Sequence, residues 1–145
     1  MPFEVGTIAI GSDHHARDIV NELASHLESL GWNVHKHYGK DDQMIDYPIS
    51  AAEVTDEIIN NKVECGVLIC GSGIGMSMAA NKVKGIRAAL VHEPHAAEMS
   101  RRHNDANVLC LAAEGPFDYD YNLILDKWLA TDFDGGRHQR RVDML

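Results

Sequence analysis

The sequence has no apolar run that approaches the ~20 residues needed to span a bilayer. Its first residues, Met1 to Glu4, also lack the basic start and the long apolar stretch of a secretory signal peptide. These absences argue against a membrane protein and against a secreted one. We therefore expect a cytoplasmic protein that has no membrane partner.

Cysteine is scarce, and the chain offers no disulfide framework. The three cysteines, Cys65, Cys70 and Cys110, cannot all pair within one chain, and each lies in an apolar run. This pattern indicates reduced thiols, as in a cytosolic protein.

Basic residues are outnumbered, with 13 lysines and arginines against 22 acidic residues and a formal net charge of −9. A uniformly acidic surface repels nucleic acid, so we expect no DNA or RNA partner. The arginines are nevertheless clustered, because five of the seven lie in segments 101–102 and 137–141. A net-negative chain that concentrates arginine in this way is suited to holding a small anion locally.

Short apolar runs alternate with segments of helical spacing along the whole chain. The runs typical of strands are residues 5–10, 32–38, 65–70, 88–91 and 108–113. Apolar residues three and four apart predict helices over 19–30, from about 48, over 76–83 and over 94–102, and a last helix marked by Phe117, Tyr121, Ile124 and Trp128. The alternation predicts an α/β fold in a single domain, residues 1–145: a three-layer α/β/α sandwich with a five-stranded parallel, Rossmann-like sheet. Ligands of such sheets bind beyond the carboxyl ends of the strands.

The segment CGSGIG, residues 70–75, is the most informative one at such an end. Three glycines in five positions let the backbone approach a ligand closely, and the N–H groups at the following helix start form an anion site. The same dipoles stabilise a thiolate at Cys70. A base beside an oxyanion cradle is what enediolate chemistry requires, and Cys70 is our candidate base. The alternative is an unreactive buried cysteine above a tight turn.

The glycines also resemble the beginning of a dinucleotide-binding fingerprint. Gly71 and Gly73 match its first two glycines, and Glu93 lies twenty residues after Gly73, where an acid that binds ribose would stand. The third glycine position holds Met76, whose bulk obstructs close packing of helix on strand. The turn also follows the third predicted strand instead of the first, so a dinucleotide-dependent enzyme is the weaker hypothesis.

Asp13 and His14 follow the first predicted strand and should reach the same edge. A carboxylate there is suited to gripping sugar hydroxyls, and a histidine to contacting a phosphate or moving a proton. Asp13 is equally well placed to cap the next helix. At the other end of the chain, Arg137 and Arg141 lie four residues apart and would share one face of a helical turn, a geometry suited to a phosphate. The alternative for these arginines is a solvated basic end.

Nine histidines invite a metal hypothesis. The closest pairs in sequence are His14 with His15, His35 with His37, and His92 with His95. None of them completes a ligand set with a known spacing, and His35 and His37 simply share one face of a strand. We therefore expect no metal site.

Taken together, six segments resemble the type B ribose-5-phosphate isomerase family, which includes the galactose-6-phosphate isomerase subunits. The segments occur in the family's order and spacing, and they are GSDHHA (11–16), DYP (46–48), CGSGIGMSMAANK (70–82), GIRAAL (85–90), SRRHNDANVL (100–109) and GGRHQRR (135–141).

The resemblance implies roles at the glycine turn and beyond it. Cys70 matches the base that moves a proton between C1 and C2, and Ser72 a hydroxyl residue that contacts the substrate beside it. The enediolate is held by amides of the turn, from Gly71, Gly73, Ile74 and Gly75. His103 matches a histidine that helps to open the furanose ring.

The remaining matches concern substrate binding and assembly. Asn104 is a substrate contact, Asp13 assists at the ring oxygen or hydroxyls, and Tyr47 lines the pocket. The phosphate is held by His14, Arg137 and Arg141, so the basic tail, about residues 132–145, contributes to the site. In this family the site lies between two subunits, which implies a homodimer or a dimer of dimers, and no metal or organic cofactor is used.

One departure from the family pattern concerns the substrate. Family members usually carry a further phosphate-binding arginine shortly after the fifth strand, where this chain reads Ala112-Ala113-Glu114-Gly115. Either the loop is rebuilt, or Arg140 or Arg101 substitutes, or the substrate differs. The leading hypothesis is an aldose–ketose isomerase for ribose 5-phosphate. The alternatives are an isomerase for a hexose 6-phosphate of the galactose or allose type, and a non-catalytic sugar-phosphate or nucleotide sensor.

Overall fold

The computed structural model describes residues 2–40 and 42–145. Within these residues the chain forms five strands, six α-helices and one short 3-10 turn at His14–Ala16. The strands are β1 Thr7–Ser12, β2 Asn33–His37, β3 Cys65–Cys70, β4 Ala88–Leu90 and β5 Val108–Ala112. The helices are α1 Arg17–Ser29, α2 Tyr47–Ile59, α3 Ile74–Asn81, α4 Pro94–Asn104, α5 Tyr121–Leu129 and α6 Arg137–Val142. No helix in the described part of the chain combines the length and apolar character needed to cross a membrane.

The five strands form one parallel sheet in the order β2-β1-β3-β5-β4. Its central strands β3 and β5 are buried along their whole length, as the nearly continuous apolar runs predict. The register pairs Ser12 with Ile69, and Cys70 with Ala112, so β1, β3 and β5 end side by side. The predicted α/β class and the parallel sheet are confirmed.

Alternate residues of the central strands face two separate helical layers, because side chains of a strand point to opposite faces in turn. On β3, Val67 and Ile69 pack against a core that contains residues of α1, α4 and α5. Leu68 and Cys70 pack against a second core, formed with α2 and α3. This arrangement is the predicted three-layer sandwich, and it places the thiol on the α2–α3 side of the sheet.

The prediction for the last helix was wrong in one respect. The helix begins at Tyr121, where the Asp120 carboxylate accepts from the Leu123 N–H over 3.0 Å. Phe117 therefore lies outside it, and its ring stacks on His92 at a centroid distance of 4.1 Å. The segment after α5 also forms the short helix α6, which the apolar pattern does not reveal because it has no buried residue.

The edge strand β2 is fixed to α2 by two histidines and a shared carboxylate. His35 Nδ1 and His37 Nε2 each lie 2.9 Å from an oxygen of Glu57, and His37 Nδ1 lies 3.1 Å from Glu53 Oε2. Burial raises the pKa of Glu57, but the hydrogen bonds and charges of His37 and His35 outweigh burial, so the pKa of this carboxyl is lowered. The histidine pair considered for a metal thus has a structural role.

This cluster predicts a pH-dependent stability. Because the pKa of Glu57 is lower in the folded chain, the pairing stabilises the fold above the unfolded pKa of 4.5, and that stabilisation is lost as the pH falls through the folded pKa. We expect Glu57→Gln to lower the melting temperature between pH 5 and 7 by about 3 °C, and the difference to vanish in stronger acid. Thermal melts of both proteins across pH 3 to 7 measure this. Glu53→Gln, which loses one contact at a more exposed carboxylate, should show a smaller difference; a constant difference at all pH values would contradict the assignment.

Candidate active site

The carboxyl ends of β1 and β3 lie side by side near the centre of the sheet. The strand that follows β1 in sequence lies on its outer side, whereas β3 leads away to the other half of the sheet. Such a switch point opens a crevice in which α/β proteins bind ligands. Asp13 and His14 follow β1 directly, and Cys70 is the last residue of β3. Three of the residues predicted for the site are therefore neighbours at the carboxyl end of the sheet.

The turn after Cys70 depends on Gly73, at a position that only glycine fits. Gly73 has φ of +74°, and a Cβ at this position would lie 2.5 Å from Leu90 Cδ1 and 3.0 Å from Leu111 O. A side chain is excluded by both the backbone conformation and the space. The turn consequently passes close over β5, while Cys70 beneath it keeps 5% of its surface exposed.

The turn delivers backbone N–H groups to the mouth of the site. The Ile74 N–H, at the first residue of α3, donates to Ser72 Oγ over 3.2 Å. The N–H groups of Gly75 and Met76 follow in the first helical turn, where a helix supplies no backbone acceptor. These two donors, with the positive end of the helix dipole behind them, are available to an oxyanion.

Tyr47 covers this helix start from the side. A Cβ on Gly75 would lie 2.7 Å from Tyr47 Cζ, which means that the ring packs directly on the glycine backbone. Tyr47 is the first residue of α2, and it remains 40% exposed. The ring thus forms one wall at the mouth of the glycine turn, at the place where the sequence predicted a pocket-lining residue.

The Asp13 carboxylate caps the 3-10 turn His14–Ala16. Its Oδ1 accepts from the His15 N–H over 3.0 Å, and Oδ2 lies 3.4 Å from His15 Nδ1. Asp13 thus caps the 3-10 turn and not the long helix that follows, because α1 begins after Ala16 and has no side-chain cap. Of its two carboxylate oxygens, Oδ2 makes the longer contact. The His14 Nδ1 lies 3.3 Å from both the backbone N and the carbonyl O of Ile45.

Glu114 lies beside the glycine turn. The backbone continues the pairing of β3 with β5, since the Ala113 N–H donates to Cys70 O and the Glu114 N–H to Gly71 O, both over 2.9 Å. The Glu114 Oε2 is 3.8 Å from the position that a Cβ on Gly71 would occupy. An acid thus stands at the mouth of the site, where the family pattern predicted a cation.

The other predicted residues lie at the opposite end of the sheet, where the strands begin. Helix α4 ends at Asn104, whose carbonyl accepts from Arg87 Nε over 3.1 Å, and Arg87 directly precedes β4. Asn104 and its neighbour His103 are therefore near the amino ends of β4 and β5. Cys70 pairs with Ala112 at the far end of β5, about 13 Å along the strand from Val108. A single chain does not bring His103 and Asn104 to the thiol.

The arginine pair accompanies His103. Helix α6, which carries Arg137 and Arg141, is held to the end of α4 by a stack of His138 on His103 at a centroid distance of 4.4 Å. The Asp134 N–H also donates to Arg102 O over 3.0 Å. The predicted site is thus divided between the carboxyl ends and the amino ends of the strands.

His138 is a site candidate that the sequence reasoning did not single out. The available signal was its place inside GGRHQRR, one residue after Arg137. Desolvation lowers the pKa of His138, and so do the positive charges of His103, Arg137 and Arg141. Together, His138, His103, Arg137 and Arg141 form a cationic cluster. The neutral form of His138 is favoured within it, and the cluster as a whole is suited to binding an anion.

A metal ion is the competing ligand for this cluster. Within the described residues, His103, Asp134 and His138 have ligand atoms within 4.8 Å of one another. The Asp134 carboxylate, however, already binds Arg102, with Nε 3.1 Å from Oδ1 and a second contact of 3.1 Å to Oδ2. The hydrogen bond from Arg102 accordingly lowers the pKa of Asp134. The surrounding positive charge favours an anion over a cation here.

One proposed substitute for the missing arginine is wrong. Arg101 has 3% of its surface exposed, and its NH1 donates to Asp105 Oδ1 over 2.8 Å and to Ala106 O over 2.7 Å. Its guanidinium also lies over the Phe3 ring, 4.2 Å from the centroid. Arg101 closes the end of α4 and is not available to a ligand. Arg140, by contrast, is exposed on α6.

The chain is similar to known proteins over nearly its whole length. Residues 8–145 match the family model described as ribose/galactose isomerase. The chain is 39% identical over 138 residues to ribose-5-phosphate isomerase B of Escherichia coli (strain K12), which covers 95% of this chain and 93% of that protein. It is 41% identical over 143 residues to the probable ribose-5-phosphate isomerase B of Mycoplasma genitalium, with 95% and 92% covered.

Solved structures agree with the sequence matches. The crystal structure of a ribose 5-phosphate isomerase from Thermotoga maritima superposes with a TM-score of 0.90 at 40% identity, and 95% of each chain is covered. The type B ribose 5-phosphate isomerase of Trypanosoma cruzi gives a TM-score of 0.88 at 41% identity, with 95% of this chain and 94% of that chain covered. Sequence and fold therefore agree over nearly the whole length.

Proposed function

The chain belongs to the ribose/galactose isomerase family, and we propose that it interconverts ribose 5-phosphate and ribulose 5-phosphate with Cys70 as the base. At the coarser level it is a sugar-phosphate isomerase, an intramolecular oxidoreductase, as its relatives are. The relatives from E. coli and T. maritima are named for ribose 5-phosphate, which supports this pentose as the substrate. The family match gives no support to the dinucleotide or the non-catalytic hypothesis.

The observation that carries the mechanism is the position of Cys70 at the mouth of the glycine turn. Its thiolate would take the proton from C2 of the open-chain aldose, and the C–H electron pair would form the C1–C2 double bond. The carbonyl electron pair would move to O1, where the N–H groups of Gly75 and Met76 would hold the negative charge. The proton on O2 would pass to O1, and the Ser72 hydroxyl would relay it.

The second half of the reaction reverses the first at the neighbouring carbon. The Cys70 thiol would return its proton to C1, and the electron pair on O2 would form the new carbonyl at C2. The product is the ketose, the thiolate is regenerated, and no atom or electron is gained or lost. The base needs no redox or metal partner for this sequence, which is consistent with the expected absence of a cofactor.

The divided site supports an assembly of two chains. We propose a homodimer, or a dimer of dimers, in which the glycine turn of one chain meets His103, Asn104, Arg137 and Arg141 of the partner. The surface beside the turn is apolar, since Ile74 and Met78, four residues apart on α3, are 48% and 64% exposed. Ile49 on the neighbouring helix α2 is 52% exposed, and a second copy would cover these side chains.

In this arrangement each group has a task. His103 would transfer a proton as the furanose ring opens, and Asp13 would receive the hydroxyls through Oδ2. His14 would hold the phosphate from one chain, and the arginine pair from the other. The phosphate would thus anchor the substrate while the carbonyl end reaches Cys70, which is the positioning that proton transfer requires.

The direct test is turnover of ribose 5-phosphate in the presence of a chelator. We expect conversion to ribulose 5-phosphate at a rate unaffected by EDTA. The same assay with galactose 6-phosphate and allose 6-phosphate tests the hexose alternative, and we expect each to show at least about tenfold lower kcat/KM. Faster turnover of a hexose 6-phosphate would replace the proposed substrate, and loss of activity with EDTA would contradict the metal-free mechanism.

A further inference from the structure

Helix α6 carries the two arginines proposed for the phosphate, yet little apolar packing holds this helix to its own chain. It spans six residues, Arg137–Val142, and none of them is buried. Its last residue, Val142, is half-buried and lines a groove with Ile86 beside β4. The position of the α6 arginines therefore depends mainly on the polar contacts at the start of the helix.

Two glycines join α6 to the segment before it. Gly135 and Gly136 have φ of +66° and +54°, and a Cβ on either would meet no atom of the described chain within 4 Å. The surroundings therefore do not restrain the direction in which the chain continues, and a glycine backbone has the widest choice of conformations. The direction of α6 is consequently set by the contacts that hold the residues on either side of this glycine pair.

Asp134, the residue before the glycine pair, is held by Arg102 through three contacts. Its N–H donates to Arg102 O over 3.0 Å, while Arg102 Nε and Nη2 each lie 3.1 Å from one of its carboxylate oxygens. The two parallel contacts of a guanidinium with a carboxylate fix direction as well as distance. After the glycine pair, His138 stacks on His103. Both anchors belong to α4, so α6 is aligned with the end of that helix.

The charge of Asp134 by itself opposes the binding of an anion here. Its carboxylate lies within 4.8 Å of ring nitrogens of His103 and His138, in the cationic cluster proposed to bind the phosphate. A carboxylate at this place repels a phosphate dianion. The contribution of Asp134 to alignment and the effect of its charge therefore act on phosphate binding with opposite signs, and an experiment can separate them.

We propose that Arg102 and Asp134 are positioning residues that hold α6 so that its two arginines meet the substrate phosphate together. Neither residue touches the substrate, because Arg102 acts through Asp134, and Asp134 acts on the helix through the glycine pair. The inference rests on the proposed function, which assigns the α6 arginines to the phosphate, and it adds the residues that keep those arginines aligned. In the proposed dimer the ion pair of one chain serves the glycine turn of its partner.

The test uses the full chain and measures KM and kcat for ribose 5-phosphate, together with binding of inorganic phosphate by calorimetry. Asp134→Asn removes the negative charge, and Arg102→Lys keeps the positive charge but loses the bidentate contact. We expect KM and the dissociation constant of phosphate to rise about fivefold in Asp134→Asn and about threefold in Arg102→Lys, with kcat within about twofold of wild type. Charge alone predicts tighter binding by Asp134→Asn and no change in Arg102→Lys.

Glu98→Gln is the matched control. Glu98 lies one turn before Arg102 on α4, with Oε1 3.9 Å from the guanidinium, and its other carboxylate oxygen pairs with Lys127 of α5. This variant takes a negative charge away from the same arginine without changing the segment that leads to α6. Its KM should stay within about 1.5-fold of wild type. The melting temperatures of all three variants should stay within about 3 °C of wild type, because none of the changed side chains lies in the core.

The outcomes separate this inference from the proposed function. Unchanged or tighter phosphate binding in Asp134→Asn would overturn the positioning role, and so would equal effects of Asp134→Asn and Glu98→Gln. A change of oligomeric state in Asp134→Asn, measured by light scattering, would overturn it as well, because the ion pair would then serve assembly. If the wild-type protein turned over no sugar phosphate, the proposed function would fail, but calorimetry with inorganic phosphate would still decide whether the ion pair aligns the anion-binding arginines.

Discussion

Cys70→Ala is expected to lower kcat for ribose 5-phosphate by about a thousand-fold, the usual contribution of a positioned general base. The KM should change little, because the thiol contributes to the proton transfer and not to holding the phosphate. Cys70→Ser should be almost as inactive, since a hydroxyl is a far weaker acid than a thiol and supplies little anionic base. Steady-state kinetics of both variants measure the loss.

The other two cysteines supply matched controls. Cys65 and Cys110 are fully buried in β3 and β5, and burial raises the pKa of both thiols far above the usual range. They therefore stay protonated and are no candidates for the base. Cys110→Ala, whose side chain faces the same core as Cys70, should keep the wild-type kcat. Retention of more than a tenth of the activity in Cys70→Ala would remove the cysteine from the mechanism.

A mixed dimer of two inactive variants is expected to regain activity. Cys70→Ala removes a group at the carboxyl end of the sheet, and His103→Ala removes a group at the amino end. If each site combines the carboxyl end of one chain with the amino end of the other, the heterodimer contains one site with both defects and one site with none. A heterodimer purified through two different tags should then show about half of the wild-type activity, although each parent retains about 1% or less.

The matched control combines two substitutions that both lie at the carboxyl end of the sheet. Cys70→Ala combined with His14→Ala leaves a defect in both sites of the heterodimer, so no recovery should occur. Recovery with His103→Ala and not with His14→Ala is the signature of a site shared between chains. Equal behaviour of the two pairs would show that each chain builds its site alone, and the proposed assembly would have to be abandoned.

Much of the fold was accessible from the sequence because buried parallel strands have a distinctive composition. The run Cys65–Cys70 is apolar throughout, and it is the central strand. The errors arose where tertiary contacts decide. Phe117 has the spacing of a helix residue, but Asp120 caps the helix three residues later and leaves the ring to stack on His92. The placement of β5 between β3 and β4 depends on the crossovers, to which the pattern of any single segment is blind.

The division of the site was expected only from the family resemblance, although the topology predicted from the sequence implies it as well. A helix that joins two parallel strands must run back towards their amino ends, so residues at the end of α4 cannot lie where β3 ends. The alternation of strands and helices therefore already places His103 and Cys70 at opposite ends of the sheet. What the sequence could not supply is the folding of α6 against α4, because this contact depends on a His103–His138 stack and on Arg102 with Asp134.

The contact between Tyr47 and Gly75 links two positions that are 28 residues apart in the sequence. An aromatic ring at the first and a bare backbone at the second occupy one volume between them, so mutation of either is constrained by the other. During divergence from a common ancestor the two should change as a pair: a lineage that acquires a side chain at 75 must first, or simultaneously, give up the ring at 47. The wall of the pocket and the helix start behind it are thus a single heritable character.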